Sequence, residues 1–226
     1  MSTVGTRTTS ELAAATPPQL GIGMRFSLHP HCNDFVEVIL GALEDARAAG
    51  LTEGLVIDTD EVSTYVGAAT EPAEQRLTLY LAEVISAASR RSGGGHVVAH
   101  VLLSRGCPGE VTCDLSVTSL PTPDPVKVEL TGVPAVAQWS LYPLLDSDSD
   151  VGDHMVHIEA AISDAQQRGG VAVPLHYATK LVGDVAEVVT TVADAWSRVG
   201  SQVAHVVTHL TVSTGSPSSG STQKEL

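Results

Sequence analysis

Two spacings of apolar residues alternate along the chain, one of period two and one of period 3.6. "GIGMRFSLHP" at 21–30 predicts a short strand ended by Pro30. "NDFVEVILGALEDARAAG" then carries Phe35, Ile39, Leu43 and Ala46 at helical spacing, with Asn33 as the expected N-cap and Gly50 as the stop. "GLVIDTDEVSTYVGA" predicts two short strands about the turn residues Asp58 to Asp60. "TEPAEQRLTLYLAEVISAASRR" predicts a second helix with Thr70 as cap, Pro72 in the first turn, and Leu77, Leu81, Val84, Ile85 and Ala88 on one face. "GGGHVVAHVLLSRG", rich in β-branched residues after a glycine break, predicts a closing strand.

The same order returns. "RFSLHP" at 25–30 is answered by "QWSLYP" at 138–143, and "HVVAHVLLSRGCP" at 96–108 by "HVVTHLTVSTGSP" at 205–217. In the second match His96 meets His205, His100 meets His209, Gly106 meets Gly215 and Pro108 meets Pro217. Two matched blocks in one order imply a duplicated unit. The second unit predicts a strand over 135–142, a helix over about 152–168, strands over about 171–174 and 177–183, a helix over about 184–199 and a strand over about 203–213.

The order β-α-β-β-α-β is the ferredoxin-like arrangement, a four-stranded antiparallel sheet with both helices on one face. The expected fold class is therefore α+β with tandem ferredoxin-like repeats. The units span 21–108 and 135–217, joined by a Pro-rich linker at 109–134 in which "VKVEL" could add an edge strand. Residues 1–20 and 218–226 are small and polar and are expected to be flexible. Val97, Ala99, Val101 and Leu103 make one apolar face of the closing strand, while Val98 and Leu102 stand on the other. A sheet apolar on both faces requires cover on both, from helices on one side and from the partner sheet or another subunit on the other.

Charge narrows the ligands. Twelve Lys and Arg stand against 26 Asp and Glu, a formal charge of -14 that would repel a phosphate backbone and favours a cationic small ligand. No apolar run approaches the ~20 residues that span a bilayer, and the N-terminal stretch lacks the apolar core of a secretory signal, so a cytoplasmic location is expected. Cys32, Cys107 and Cys113 are an odd number, which predicts reduced thiols rather than a disulfide framework. Catalytic signatures are lacking: no Gly-rich phosphate loop follows a strand, no GxSxG elbow appears, and "DSDSD" at 146–150 lacks the spacing of an EF-hand.

"HVVAH" has the spacing of a helical zinc pair but lies in a predicted strand. There His96 and His100 share a face ~13 Å apart at ~3.3 Å per residue, too far to ligate one ion with bonds near 2 Å. No metal ligands are assigned. A site shared between histidines of different strands is left open.

"GMRFSLHP" with "NDF" at 33–35, "TDEVSTYVG" at 59–67, "GCPG" at 106–109, "WSLYP", "LHYATKLVGD" at 175–184 and "LTVSTGSPS" at 210–218 together resemble the YkoF family of thiamin and hydroxymethylpyrimidine binding proteins. The likeness runs from about Gly21 to Ser218 in the family's order. It implies a homodimer of tandem ferredoxin-like repeats that binds thiamin-like pyrimidines without catalysis and without a cofactor, in vitamin B1 salvage, transport or carriage. Two departures are His29, which stands where the second repeat has Tyr142, and the Ala- and Gly-rich run at 86–95. The fold would equally support an ACT-like sensor of another small molecule such as an amino acid.

A thiamin site needs an aromatic or apolar slot, a few polar partners for the ring edge and no nearby positive charge. Tyr65, Trp139, Tyr142 and Tyr177 are the candidate slot walls. Aligning "VSTYV" with "YATKL" pairs Ser63 with Ala178, Thr64 with Thr179 and Tyr65 with Lys180. Thr64 and Thr179 would each set a hydroxyl on an apolar face, where it needs a partner in the strand or in a ligand. Ser27 and Ser140 occupy equivalent strand positions, each beside an aromatic, and Asp60 and His176 both enter the third strand; with His29 and Ser63 these complete the candidate ligand-binding set. Lys180 in place of Tyr65 implies unequal sites, with the first repeat binding a cation more tightly.

Overall fold

The computed structural model describes residues 16–106, 121–144, 154–168 and 171–220. Its first half runs β1 (Gly23–Pro30), α1 (Phe35–Ala48), β2 (Leu55–Thr59), β3 (Thr64–Ala68), α2 (Ala73–Arg91) and β4 (Val97–Arg105). The second runs β5 (Pro134–Leu144), α3 (His154–Gln167), β6 (Val171–Leu175), β7 (Ala178–Asp184), α4 (Val185–Gly200) and β8 (His205–Thr214), followed by a short 3-10 turn at Pro217–Gly220. Each half is β-α-β-β-α-β, the tandem ferredoxin-like pattern. Cys107, Cys113 and the acidic loop 146–150 lie outside the described residues.

The eight strands form one antiparallel sheet in the order β2-β3-β1-β4-β8-β5-β7-β6. β4 and β8, each the edge of its own half, pair over nine positions from Val97↔Thr214 to Arg105↔Val206. Two edges that would otherwise offer unpaired backbone groups become the middle of the sheet. The halves therefore meet edge to edge, so of the two covers expected for the second sheet face, the partner sheet or another subunit, the partner sheet does not supply it. On the helical face, Val97, Ala99, Val101 and Leu103 of β4 and Val206, Leu210 and Val212 of β8 are all at most 2% exposed.

This seam explains the matched glycines. Gly106 (φ +80°) ends β4 against the residue before β8, where a Cβ would stand 1.7 Å from the Ala204 carbonyl oxygen. Gly215 (φ +59°) ends β8 against the residues before β4, where a Cβ would stand 2.4 Å from the Gly94 oxygen. Only glycine tolerates both the left-handed backbone and that approach. The matched histidines belong to the same seam: His96 Nε2 lies 3.0 Å from Ser213 Oγ, His100 Nδ1 lies 3.1 Å from Thr211 Oγ1, and His205 Nδ1 contacts the Gly106 oxygen.

The helices cover one face. α2 buries the stripe read from its periodicity, with Leu77, Leu81, Val84, Ile85 and Ala88 at 0–1% exposure. α1 differs: it starts at Phe35 with Asp34 at the cap position, and buries Val38, Ala42 and Ala46. Ile39 and Leu43 pack only partly against the core and Phe35 stays half exposed, because small residues on α1 let it lie close to α2. α2 is capped differently as well, with Pro72 at the cap position and the Glu71 carboxylate accepting from the Ala73 N–H at 2.9 Å, in place of Thr70. Asp184 and Glu187 form a capping box on α4.

"VKVEL" forms no strand. Residues 121–133 run as a strap over the helices, with Val126 buried, its N–H bonded to Asp194, and Lys127 bonded through backbone N–H and C=O to the Gln75 amide. Beneath the strap lies a buried ion pair. Arg105 and Glu74 side chains are 1% and 4% exposed, with Nε 3.0 Å from Oε1. Arg105 also donates to the Ser197 and Pro121 carbonyls at 2.6 and 2.7 Å and lies over the Trp196 ring. One guanidinium thus ties β4, α2, α4 and the strap together. Burial pushes the Glu74 carboxyl up and the Arg105 guanidinium down, each opposed by the other's charge.

Removing one partner of a buried pair strands the other charge away from water. Arg105→Ala is expected to lose about 3–5 kcal/mol in chemical denaturation. Adding Glu74→Gln to that variant is expected to recover part of the loss, since a neutral amide costs less to bury.

Candidate binding site

An open pocket of about 570 Å³ lies between the start of α3 and strands β5, β6 and β7. Trp139 and Leu141 of β5 and Thr179 of β7 are its buried wall. Met155, Ile158 and Ile162 of α3 face them, and Pro174, Leu175 and Tyr177 close the side. Ser140, Tyr142, Ala178 and His154 complete the lining, which among the described residues contains no lysine, arginine or carboxylate. Most of the surface is apolar, with a few hydroxyls converging on it, the character expected of a small-molecule site.

Local hydrogen bonds hold the walls. The Trp139 indole N–H donates to Thr208 Oγ1 at 2.7 Å, and that hydroxyl donates to the Ser140 carbonyl at 2.9 Å. The ring is thereby locked before any ligand arrives. The β6–β7 turn has only two residues between Leu175 and Ala178, which are paired. Tyr177 takes φ +62° there, fully exposes its ring, and accepts from Ser140 Oγ at 3.1 Å through its carbonyl. A positive φ in a tyrosine costs roughly 1 kcal/mol or more, stored where the turn frames the pocket.

Thr179 carries the decisive polar atom. It is 4% exposed and makes no side-chain hydrogen bond among the described residues. Its counterpart Thr64 is equally buried, but Thr64 Oγ1 lies 3.0 Å from Thr59 Oγ1 across the β2–β3 pair. The residue facing Thr179 in that register is Pro174, which has no hydroxyl to offer. The two halves agree in backbone register, since Phe26↔Thr64 repeats as Trp139↔Thr179, yet only the first satisfies its threonine internally.

The other expected site residues lie elsewhere. Of the set read from sequence, Ser140, Tyr142, Tyr177 and Thr179 come together at the pocket, and His176 sits beside them, exposed at the turn. Ser27, His29 and Tyr65 stand on the sheet face opposite the helices, where Ser27 Oγ lies 3.0 Å from His29 Nε2. Tyr65 lies across Gly67, whose Cβ would meet the phenol oxygen at 2.4 Å. Asp60 is a turn cap and ion-pair partner: Oδ1 accepts from the Val62 and Ser63 N–H groups at 2.8 Å each, and Oδ2 from Arg25 at 2.8 Å. Arg25 also donates to Ser63 Oγ at 2.7 Å. The first half thus has its own cation at the position opposite Tyr65, and Lys180, opposite Gln138, is not part of the pocket lining. Val62, two residues before Thr64, lies in the turn and is 81% exposed, so it adds nothing to the apolar face expected around Thr64.

Sequence reasoning missed the α3 and β6 walls. Met155, Ile158 and Ile162 recur at i, i+3 and i+7 within the helix expected over about 152–168. The signal for the site was the exchange of Thr59 for Pro174 opposite the matched threonines, which becomes visible once the strands are in register.

A single chain with this sheet order and an apolar pocket in one half belongs to the tandem ferredoxin-like α+β class. Residues 134–219 match the model of the YKOF-related family. The chain is also 30% identical over 201 residues, 87% of its length and 91% of the relative's, to the Bacillus subtilis (strain 168) "HMP/thiamine-binding protein YkoF", a name given there provisionally. The chain belongs to the YkoF family. No helix among the described residues is long and apolar enough to cross a membrane.

Hydrogen bonds from two backbone amides and Arg25 hold the Asp60 carboxyl down at about 2. Its folded value lies below the ordinary aspartate value of about 3.9, so its contribution to stability is complete above that value and lost as pH falls through about 2. Carboxyl titration by NMR is expected to place the Asp60 midpoint near 2, and Arg25→Ala is expected to raise it.

Proposed function

We propose that this chain binds thiamin or its hydroxymethylpyrimidine moiety without transforming it, and that the primary site is the pocket between α3 and β5–β7. The observation that carries the reading is the hydroxyl of the buried Thr179, set beside the fixed Trp139 ring and without a side-chain hydrogen bond among the described residues. A planar pyrimidine against Trp139 would present its edge to that hydroxyl and to the Ser140–Tyr177 corner, while Met155, Ile158 and Leu175 enclose the remainder. Among the described residues the lining has no lysine or arginine to repel the thiazolium, and the overall charge of -14 favours approach of a cation. The relative's name supports the same ligand class.

In this reading the second repeat, residues 135–217, is the stronger binder, reversing the preference expected from Lys180. The first repeat, residues 21–108, turns its threonine toward Thr59 and serves chiefly to complete the sheet. The chain acts in the cytoplasm as a carrier or salvage component for vitamin B1 precursors. It works as a homodimer.

Thermal-shift and calorimetric titrations with thiamin, hydroxymethylpyrimidine, thiamin phosphates and amino acids test this. A ligand that binds only the folded state raises apparent stability, so stabilisation by the pyrimidines but not by amino acids is expected. Thr179→Val should fold normally and bind about tenfold more weakly, the effect of losing one hydrogen bond of roughly 1–1.5 kcal/mol. Stabilisation by amino acids alone would overturn the reading in favour of a sensor module.

A further inference from the structure

Four histidines converge on the uncovered face of the first half. His29 lies next to the end of β1 and His31 follows the strand; His96 precedes β4 and His100 lies within it. β1 and β4 are antiparallel neighbours with Pro30 paired to Val97, and the next pair outward is His31 with His96, joined by the His31 N–H to the His96 carbonyl at 2.9 Å. The His31 and His96 ring centres are 4.4 Å apart with planes tilted by 35°. Those of His29 and His100 are 5.3 Å apart, edge to face at 68°. Every second residue on each strand shares a face, so all four rings stand on the same side of the sheet.

The fold does not require this arrangement. The second half builds the same strands with Tyr142 and Leu144 at the positions of His29 and His31, keeping only His205 and His209. Those two are 13 Å apart by strand spacing, of the order of ~3.3 Å per residue, and lie opposite Leu144 and Ser140 on β5. The cluster is therefore an addition to the first repeat, on a surface where water can reach it: His29, His31 and His100 are exposed and His96 is partly buried.

We infer that the His31–His96 pair, with His29 and His100 beside it, is a binding site for a borderline divalent d-block cation such as zinc, nickel or copper(II). Two imidazoles sharing one ion through bonds of about 2.0–2.1 Å have ring centres roughly 4.5–5 Å apart, close to both observed separations. Neutral imidazole is the ligand that such ions prefer. The net charge of -14 adds a general attraction for cations. Among the described residues no three His, Cys, Asp or Glu groups stand as a ready-made centre. The ion is thus held by two protein nitrogens, with water in its remaining positions.

The test is calorimetric titration of untagged protein with zinc and nickel at neutral pH, alongside the double variants His31→Gln/His96→Gln and His29→Gln/His100→Gln and the control His157→Gln, a histidine on α3 outside the pocket lining. One ion per chain in the micromolar range is expected. Affinity should fall at least tenfold in the first double variant, fall less in the second, and not change in the control. Circular dichroism and the pyrimidine thermal shift on the same variants show that the fold and the α3 pocket are intact. Absence of saturable binding, or binding unchanged in His31→Gln/His96→Gln, overturns the inference.

Discussion

The pairing of β4 with β8 is the constraint from which the rest of the molecule follows. A ferredoxin-like unit ends in an edge strand, and here two such edges satisfy each other's backbone groups over nine positions. Joining them makes one helical layer continuous, so that α2 of the first half packs against α4 of the second. Arg105 exploits that junction by crossing from β4 to Ser197 on α4 while paired with Glu74 on α2. The strap then covers this buried charge from outside, through Pro121 and Val126.

Edge-to-edge joining has a second effect, on the opposite face. Because neither sheet covers the other, the row of Arg25, Ser27, His29, His100, Thr211 and Gln138 is left uncovered within the chain. The histidines of "HVVAH" gain their neighbours there. Their partners come from β1 and β8, not from their own strand, which is why a motif too extended to chelate by itself still contributes to a cluster.

Duplication supplies two copies of a binding geometry, and small exchanges decide how each is used. Thr64 and Thr179 share burial and register, yet Thr59 closes the first hydroxyl and Pro174 leaves the second open. The loops diverge as well. Four residues with Asp60 as cap make the β2–β3 turn, and two residues with Tyr177 in the left-handed region make the β6–β7 turn. The pocket in the second half is thus the outcome of one lost hydroxyl and one tightened turn on a common scaffold.

Periodicity alone determined the β-α-β-β-α-β order, its duplication, the buried stripe of α2 and the pairing of the two threonines, because those depend on residues near one another in the chain or on matched positions. The resemblance to the YkoF family was equally legible in "WSLYP" and "LHYATKLVGD". What only the tertiary structure decided was how the sheets meet, that Asp60 is spent on Arg25 and its own turn, and that α3 supplies one wall of the pocket. A strand's alternation shows which side is apolar but not what will cover it. A carboxylate or hydroxyl in a sequence likewise shows a capacity to bond, while the distance to another strand decides whether that capacity remains available to a ligand.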